Sequence, residues 1–494
     1  MLKTSRSQQS FLNLLAFGRG AIVIVGFLVA GVTIVKVPVV AWLLLSALIG
    51  LQLFQFPAYA WVSAAVLAAV LSRWFVAIGF VPPVMNFLHF PLALGAAFVA
   101  ATRGTPRSPV ARFIGVGSVA LLFLSFISWA FNGGEFLQPL LNWLVFLEPF
   151  LIVYALVRMP CSLSQDKFLW KLLLTISFVQ FPLALWQAIT LGLDDFVQGT
   201  FVDMGNGAHV VGAVTLIGIL VCAAKGLSAT ALKRRLTWLL GGVLLFIVPV
   251  LADAKQVIVA FLPALMLIMS IFMQLRWTRF VIAFSIFASG VLGILSYYQP
   301  LQVLTNWPLI SSGILGKVEA SAIVVSKISD NPGGWLFGLG PANSVSRVAL
   351  MGMEDYIKPN SPVSILGLSA APTTHEIMAM TSSNWLFASS SVWSGASSWL
   401  GLVGDLGLAG LGLYLWMSWK LWQHLKGRHN WKVGVAKAVL VMAGILGAVY
   451  SWLEEPGFML SAALVIGLGL VASEEKDASV QNLDRPQFIA TGWE

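Results

Sequence analysis

Apolar runs of about the length needed to cross the hydrocarbon of a bilayer, roughly 20 residues, recur from Ala21 to Val471. A chain built this way cannot close around one water-facing core, because nearly every segment would bury the same kind of side chain. Composition agrees. Of 494 residues 58% are apolar and 10% charged, and the mean hydropathy is +0.88, outside the range of soluble globular proteins. The first run, Ala21 to Val35, follows Lys3, Arg6 and Arg19 without a small-residue cleavage site, so it reads as a retained first helix.

Turn and charge signals between the runs place spans at 20–35, 37–54, 58–80, 84–101, 113–130, 137–157, 172–191, 209–224, 236–251, 255–275, 280–297, 398–419, 437–453 and 457–472. The expected fold is an all-α polytopic membrane protein of about 14 transmembrane helices (12–14), with one large extracytoplasmic loop containing short helices. Residues 1–297 carry the first eleven spans, 298–397 the loop, 398–472 the last three, and 473–494 an acidic tail. The range reflects the third and fourth spans, where Arg73, Pro82, Pro83 and Pro91 leave a merged or re-entrant pair as the alternative. Arg73 itself either snorkels or meets a carboxylate such as Glu148.

The net charge of +9 matters less than where it lies. Basic residues gather in short loops: Arg103, Arg107 and Arg112; Arg158, Lys167 and Lys171; Lys225, Lys233, Arg234 and Arg235; Arg276 and Arg279; and Lys420, Lys426, Arg428, Lys432 and Lys437. With both termini cytoplasmic, 22 of the 29 Lys and Arg fall inside, 6 outside, and Arg73 alone within a span. This is the positive-inside pattern of a multi-pass protein and not a nucleic-acid surface. Cys161 and Cys222 lie near inner span ends, which argues against a disulfide framework or a zinc site.

Three outer segments are longer than short links or carry charge. One runs from Gly192 to Ala208 with Asp194, Asp195 and Asp203, followed by His209. The second is the tight turn Ala252-Asp253-Ala254-Lys255-Gln256, where Asp253 is expected to cap a helix whose positive end faces outward. With Lys255 beside it, that helix start suits a diphosphate, and at an outer membrane face the diphosphate of a polyprenyl carrier. The alternative is a plain ion pair between Asp253 and Lys255. The third is the large loop. In it Leu315, Val318, Ala322, Val325 and Ile328 predict the apolar face of a helix from Gly313 to Ser329, capped by Ser311 or Ser312 and holding Lys317 on its other face. That helix is expected to lie on the membrane surface with Lys317 over the mouth of the bundle. Beyond Gly340 the loop is rich in Ser, Thr and Ala, which suits a lid or glycan contact.

These segments, in this order, resemble the Wzy-type O-antigen polymerase and O-antigen ligase family, which acts on polyprenyl-diphosphate-linked glycans. The similarity covers roughly residues 110–460. Its members carry a basic residue at the outer start of a mid-chain helix, similar to Ala252-Asp253-Ala254-Lys255-Gln256. They also have a large outer loop opening with a helix that bears a basic residue, here Lys317. That helix leads to a turn like GWLFGLGPANS (334–344), and the loop is followed by a helix opening like WLGLVGDLGLAG (399–410). Ligases of the group place a His ahead of this last motif, where Ala396 stands here, so polymerase is favoured over ligase.

The resemblance implies attack of an acceptor-sugar hydroxyl on the anomeric carbon of a donor whose leaving group is polyprenyl diphosphate. Fixed cations would stabilise the charge growing on that leaving group, and no metal or cofactor is called for. Lys255, Lys317 and Arg347 are the candidate diphosphate ligands. His209, Glu319 and His375 are candidates for the base. Asp203, Asp253 and Asp405 take structural or acceptor-orienting roles, Asp405 because a carboxylate within a span needs a partner or a wet cavity. The expected function is polymerisation of oligosaccharide repeat units at the outer face of a bacterial plasma membrane, with a flippase and chain-length regulators as partners besides lipid. The alternatives are ligase-like transfer to another acceptor, or a transporter or flippase without covalent chemistry.

Overall fold

The computed structural model describes residues 56–81, 83–104, 108–159, 161–202, 207–273, 307–353, 369–383, 397–426 and 430–483. The expected spans at 20–35, 37–54 and 280–297, together with Asp203 and loop residues 298–306, 354–368 and 384–396, lie outside the described residues. Every regular element among the described residues is helical. In chain order these are α1 (Ala58–Ala77), α2 (His89–Arg103), α3 (Pro109–Asn132), α4 (Leu137–Arg158), α5 (Leu163–Thr190), α6 (Gly207–Ser228), α7 (Leu232–Leu251), α8 (Lys255–Met273), α9 (Trp307–Asp330), α10 (Gly334–Phe337), α11 (Arg347–Met351), α12 (Pro372–Ser383), α13 (Ser398–His424), α14 (Trp431–Val449) and α15 (Pro456–Leu483).

Eleven of these, α1 to α8 and α13 to α15, are long and apolar enough to cross a bilayer, and each falls on an expected span. The chain is therefore a multi-pass membrane protein. The doubtful third and fourth spans are two separate helices, α1 and α2, joined through a 3-10 turn at Pro83–Phe87 and packed on each other. Helix starts depart from expectation where capping extends them. For example, α5 opens well ahead of residue 172, because Ser162 and Gln165 form a reciprocal capping box.

Burial sorts the helices into an inner and an outer set. The apolar length of α15 is buried on all sides against α14, α4, α1, α6 and α13. By contrast α7 shows Leu236, Leu240, Val243 and Ile247 to its surroundings, a stripe that suits acyl chains and would be a liability in water.

The bundle also has two chemically different ends. At one, Lys432 pairs with Asp166 (2.8 Å), Lys225 lies over the Trp238 and Trp431 rings, and Arg158 donates to the carbonyls of Ala100 and Ala101. These belong to the expected cytoplasmic clusters, and contacts between helix ends bring them together. The other end holds the α7–α8 turn, the described parts of the loop and the α14–α15 turn.

One expectation for α9 is corrected: it begins at Trp307, so Ser311 and Ser312 lie inside the helix and do not cap it. Its inward face is Ala320, Val324 and Ile328, packed against α12 and α13. Of the predicted apolar stripe, Ile328 lies on that face, and Leu315 and Val318 are each 56% exposed.

Candidate functional site

Gly407 has φ 67° and ψ −167°, which breaks α13 into two helical pieces near its loop-side end. The GWLFGLGPANS turn packs into this break. Leu339 N–H donates to the Gly404 carbonyl (2.7 Å), and the Ser128 hydroxyl of α3 lies within donating distance of the carbonyls of Phe337 (2.5 Å) and Asp405 (2.8 Å). A side chain at Gly407 would meet the Leu336 backbone at 2.4 Å, and one at Gly338 (φ 75°) would meet that of Asp405 at 2.5 Å. The approach thus requires glycine on both sides. The two short strings singled out in the sequence are one interlocked unit.

Asp405 is the tie. Fully buried, its carboxylate accepts from Asn142 Nδ2 (2.6 Å), Ala342 N–H (3.0 Å), Ser344 N–H (3.1 Å) and the Ser344 hydroxyl (2.5 Å). Four donors supply what an intramembrane carboxylate needs, and they hold segment 342–344 against α4 and α13. Thr374 of α12 in turn donates to the Ser344 carbonyl (2.6 Å).

Two residues on, Ser346 caps α11 through Ala349 N–H, and Arg347 reaches the α14–α15 turn. Its backbone N–H donates to Glu454 Oε2 (2.5 Å), and its guanidinium donates to the Glu454 carbonyl (2.8 Å) and to Glu455 Oε2 (2.6 Å). From the other side Arg73 of α1 pairs with Glu455 Oε1 at 3.0 Å. Glu455 immediately precedes Pro456, the first residue of α15, and pre-proline stereochemistry keeps it extended and out of the helix. Burial alone would raise its pKa, but Arg347 and Arg73 hold the carboxyl below the ordinary range. Burial pushes Glu454 up to about 8, with Asp405 adding to the rise and Arg347 opposing it. Lys317 enters the same turn from α9, donating to the Val449 carbonyl (2.6 Å), and burial lowers its ammonium to about 8.

Of the outcomes expected for Arg73, it meets a carboxylate, and that carboxylate is Glu455, not Glu148. Arg73 lies near the loop-side end of α1, where α15 begins, whereas Glu148 sits deep in α4 and meets His89 (2.6 Å).

Lys255 belongs to a neighbouring cluster. Its helix starts at Lys255 itself, so Ala254, and not Asp253, precedes the first turn. Asp253 instead adopts φ 49° and pairs with Lys255 Nζ at 2.5 Å. His209, buried at the start of α6, and Asp195 lie within electrostatic reach of Lys255. The two clusters adjoin, since a side chain at Gly457, two residues past Glu455, would meet Phe201 at 2.5 Å and Val210, the neighbour of His209, at 3.3 Å.

The structure therefore places Lys255, Asp253 and His209 together, and Lys317, Arg347 and Asp405 together, all at the end of the bundle away from the basic loops. Glu319 and His375 are apart from both, exposed on α9 and α12. Glu376, beside His375, pairs with Lys327 (3.1 Å). Sequence reasoning missed Glu454 and Glu455. Two adjacent carboxylates before a Pro-Gly at the head of an apolar run, in a chain with Arg73 inside a span, were the available signal. Among the described residues no group of three His, Cys, Asp or Glu side chains is placed to hold a metal ion. No protein-family model matches the chain, and no curated protein matches it either.

Proposed function

We infer that the chain is a glycosyltransferase that polymerises polyprenyl-diphosphate-linked oligosaccharide units at the loop-bearing end of the bundle. The positive-inside bias makes that end extracytoplasmic in a bacterial plasma membrane, with both termini in the cytoplasm. The observation that carries this reading is the convergence of Lys317 and Arg347, from the loop, on one turn that also holds the buried carboxyl of Glu454, with Lys255 in the adjoining cluster. Cations beside a titratable carboxyl are what transfer from a diphosphate requires: charge stabilisation on the leaving group and a proton acceptor for the attacking hydroxyl. A flippase delivering the lipid-linked unit and a chain-length regulator would be its natural partners.

Purified protein incubated with a panel of polyprenyl-diphosphate oligosaccharides is expected to yield a ladder of products. Lys317→Ala should abolish the ladder while the protein remains inserted and monodisperse. A normal ladder from this variant removes Lys317 from the site, and no ladder from the wild type with any member of the panel removes the polymerase reading. A single addition to a foreign acceptor would instead identify a ligase.

A second reading draws on the broken helix α13 and the buried pairs Arg73–Glu455 and His89–Glu148, features that transporters use near substrate sites. Movement of a lipid-linked glycan across a proteoliposome membrane without any new glycosidic bond would establish it.

A further inference from the structure

Folded proteins leave few buried polar atoms without a hydrogen-bond partner, and the exceptions mark strain, water or a ligand. Among the described residues, four such atoms that also lack an ion-pair contact lie on or against the α14–α15 turn: Ser451 Oγ, Trp452 Nε1, Glu454 Oε1 and Arg73 Nη1; a fifth, Glu455 Oε1, meets Arg73 in an ion pair. All four residues are buried, and no other turn among the described residues gathers as many. The rest of the turn is well tied. Arg347 occupies Glu454 Oε2 and Glu455 Oε2, and the Ser398 hydroxyl accepts from Leu453 N–H. The unused set is an indole N–H, a guanidinium N–H, a hydroxyl and one carboxyl oxygen.

That mixture discriminates between ligands. An ionised diphosphate has no proton to give the Glu454 carboxylate and would lie beside Glu455 and Asp405 as well. A polyhydroxylated compound can both donate to Glu454 Oε1 and accept from Trp452, Arg73 and Ser451.

We propose that the turn Ser451–Glu455, with Arg73, is the acceptor-sugar subsite, and that Glu454 Oε1 takes the proton of the attacking hydroxyl. This rests on the glycosyl-transfer reading above. The hydroxyl oxygen forms a bond to the donor's anomeric carbon. The bond from that carbon to the phosphate oxygen breaks, its electron pair leaving with polyprenyl diphosphate, and the hydroxyl proton passes to the Glu454 carboxylate. Lys317, bonded to Val449 at the head of the turn, supplies positive charge for the departing diphosphate. The groups acting on Glu454 are Arg347 of α11 and Ser398, Asp405 and Tyr414 of α13. The rate therefore climbs as Glu454 ionises and falls as Lys317 loses its proton, each near pH 8, giving a narrow bell.

The test uses the full chain in lipid nanodiscs and dicyclohexylcarbodiimide, which modifies protonated carboxyls in apolar surroundings. At pH 6.5 the reagent is expected to label Glu454, as read by mass spectrometry. Lipid-linked oligosaccharides extracted from the source membranes should cut that labelling several-fold, and bare undecaprenyl diphosphate should not. Equal protection by the bare carrier makes the turn a diphosphate site, and absence of protection by either makes it a water-filled structural turn. Either result overturns the subsite. Glu454→Gln should slow ladder formation by about a hundredfold or more, remove the rising limb of the pH profile and leave the melting temperature within a few degrees. A rate within twofold of wild type overturns the proton transfer. A wild type that forms no ladder removes the proton step along with the glycosyl-transfer reading, while the sugar subsite still stands or falls on the labelling alone.

Discussion

Lys255 and Asp253 are near neighbours in the chain and meet across a single turn, whereas Arg73 and Glu455 are 382 positions apart and meet only because α1 lies along α15. The first pair keeps 18% and 20% of its side-chain surface exposed, and the second only 5% and 8%. A local, partly wet pair asks little of the fold and gives little stability in return. A buried pair assembled from distant helices cannot exist until those helices pack, and breaking it leaves a charge stranded. The first pair is fixed by a single turn, and the second holds three elements of the loop-side end together.

The sharpest way to break this contrast is Glu455→Ala, which strands the guanidinium groups of both Arg73 and Arg347. It should cost about 3–5 kcal/mol and yield aggregated or strongly destabilised protein in a thermal melt in detergent. Glu455→Gln, which keeps hydrogen-bond acceptance, should lose less. Asp405→Ala ranks next. Leaving the Asn142, Ala342 and Ser344 donors unsatisfied should cost roughly 2–4 kcal/mol and expose segment 342–351 to limited proteolysis, while α1 to α8 resist cleavage.

Smaller effects come from pH. Glu454 has a folded pKa raised to about 8 from 4.5, so its contribution is fully present below pH 4.5 and is lost as pH rises through 8. Lys317 has a folded pKa lowered to about 8 from 10.5, so its burial penalty is full below pH 8 and is relieved towards pH 10.5. Together they predict a stability minimum near pH 8. Melting curves across pH should show it in the wild type, and Glu454→Gln should remove the descending limb. Least of all, Lys255→Ala should change stability by about 1 kcal/mol or less, and a larger loss would show that the α7–α8 turn is as deeply integrated as the α14–α15 turn.

Among the described residues helix placement was legible because a span's apolar length is a local property; α3, α4 and α6 lie within a few residues of their expected positions. The pairing of the two motif strings was half legible: their order suggested a relationship, but nothing local says that Ser344 and Asp405 share a hydrogen bond. Partner choice was not legible at all. For Arg73 the sequence reading offered Glu148 as an example of a partner, and only the neighbourhood of α1 and α15 gives it Glu455. For α9, two adjacent apolar stripes made periodicity ambiguous, and packing against α12 and α13 selected the one with Ala320.

The distance along the chain between Arg73 and Glu455 has a consequence for biosynthesis. Synthesis runs from the N-terminus, so Arg73 and then Arg347 emerge well before the carboxylate they share. Until α14 and α15 have entered the membrane, Arg73 must be sheltered by water, lipid headgroups or the insertion machinery. A chain truncated after α13 would keep nine of the eleven described helices able to cross the bilayer and would lack the clasp that fastens the loop onto the bundle, so attachment of the loop is the final event of assembly.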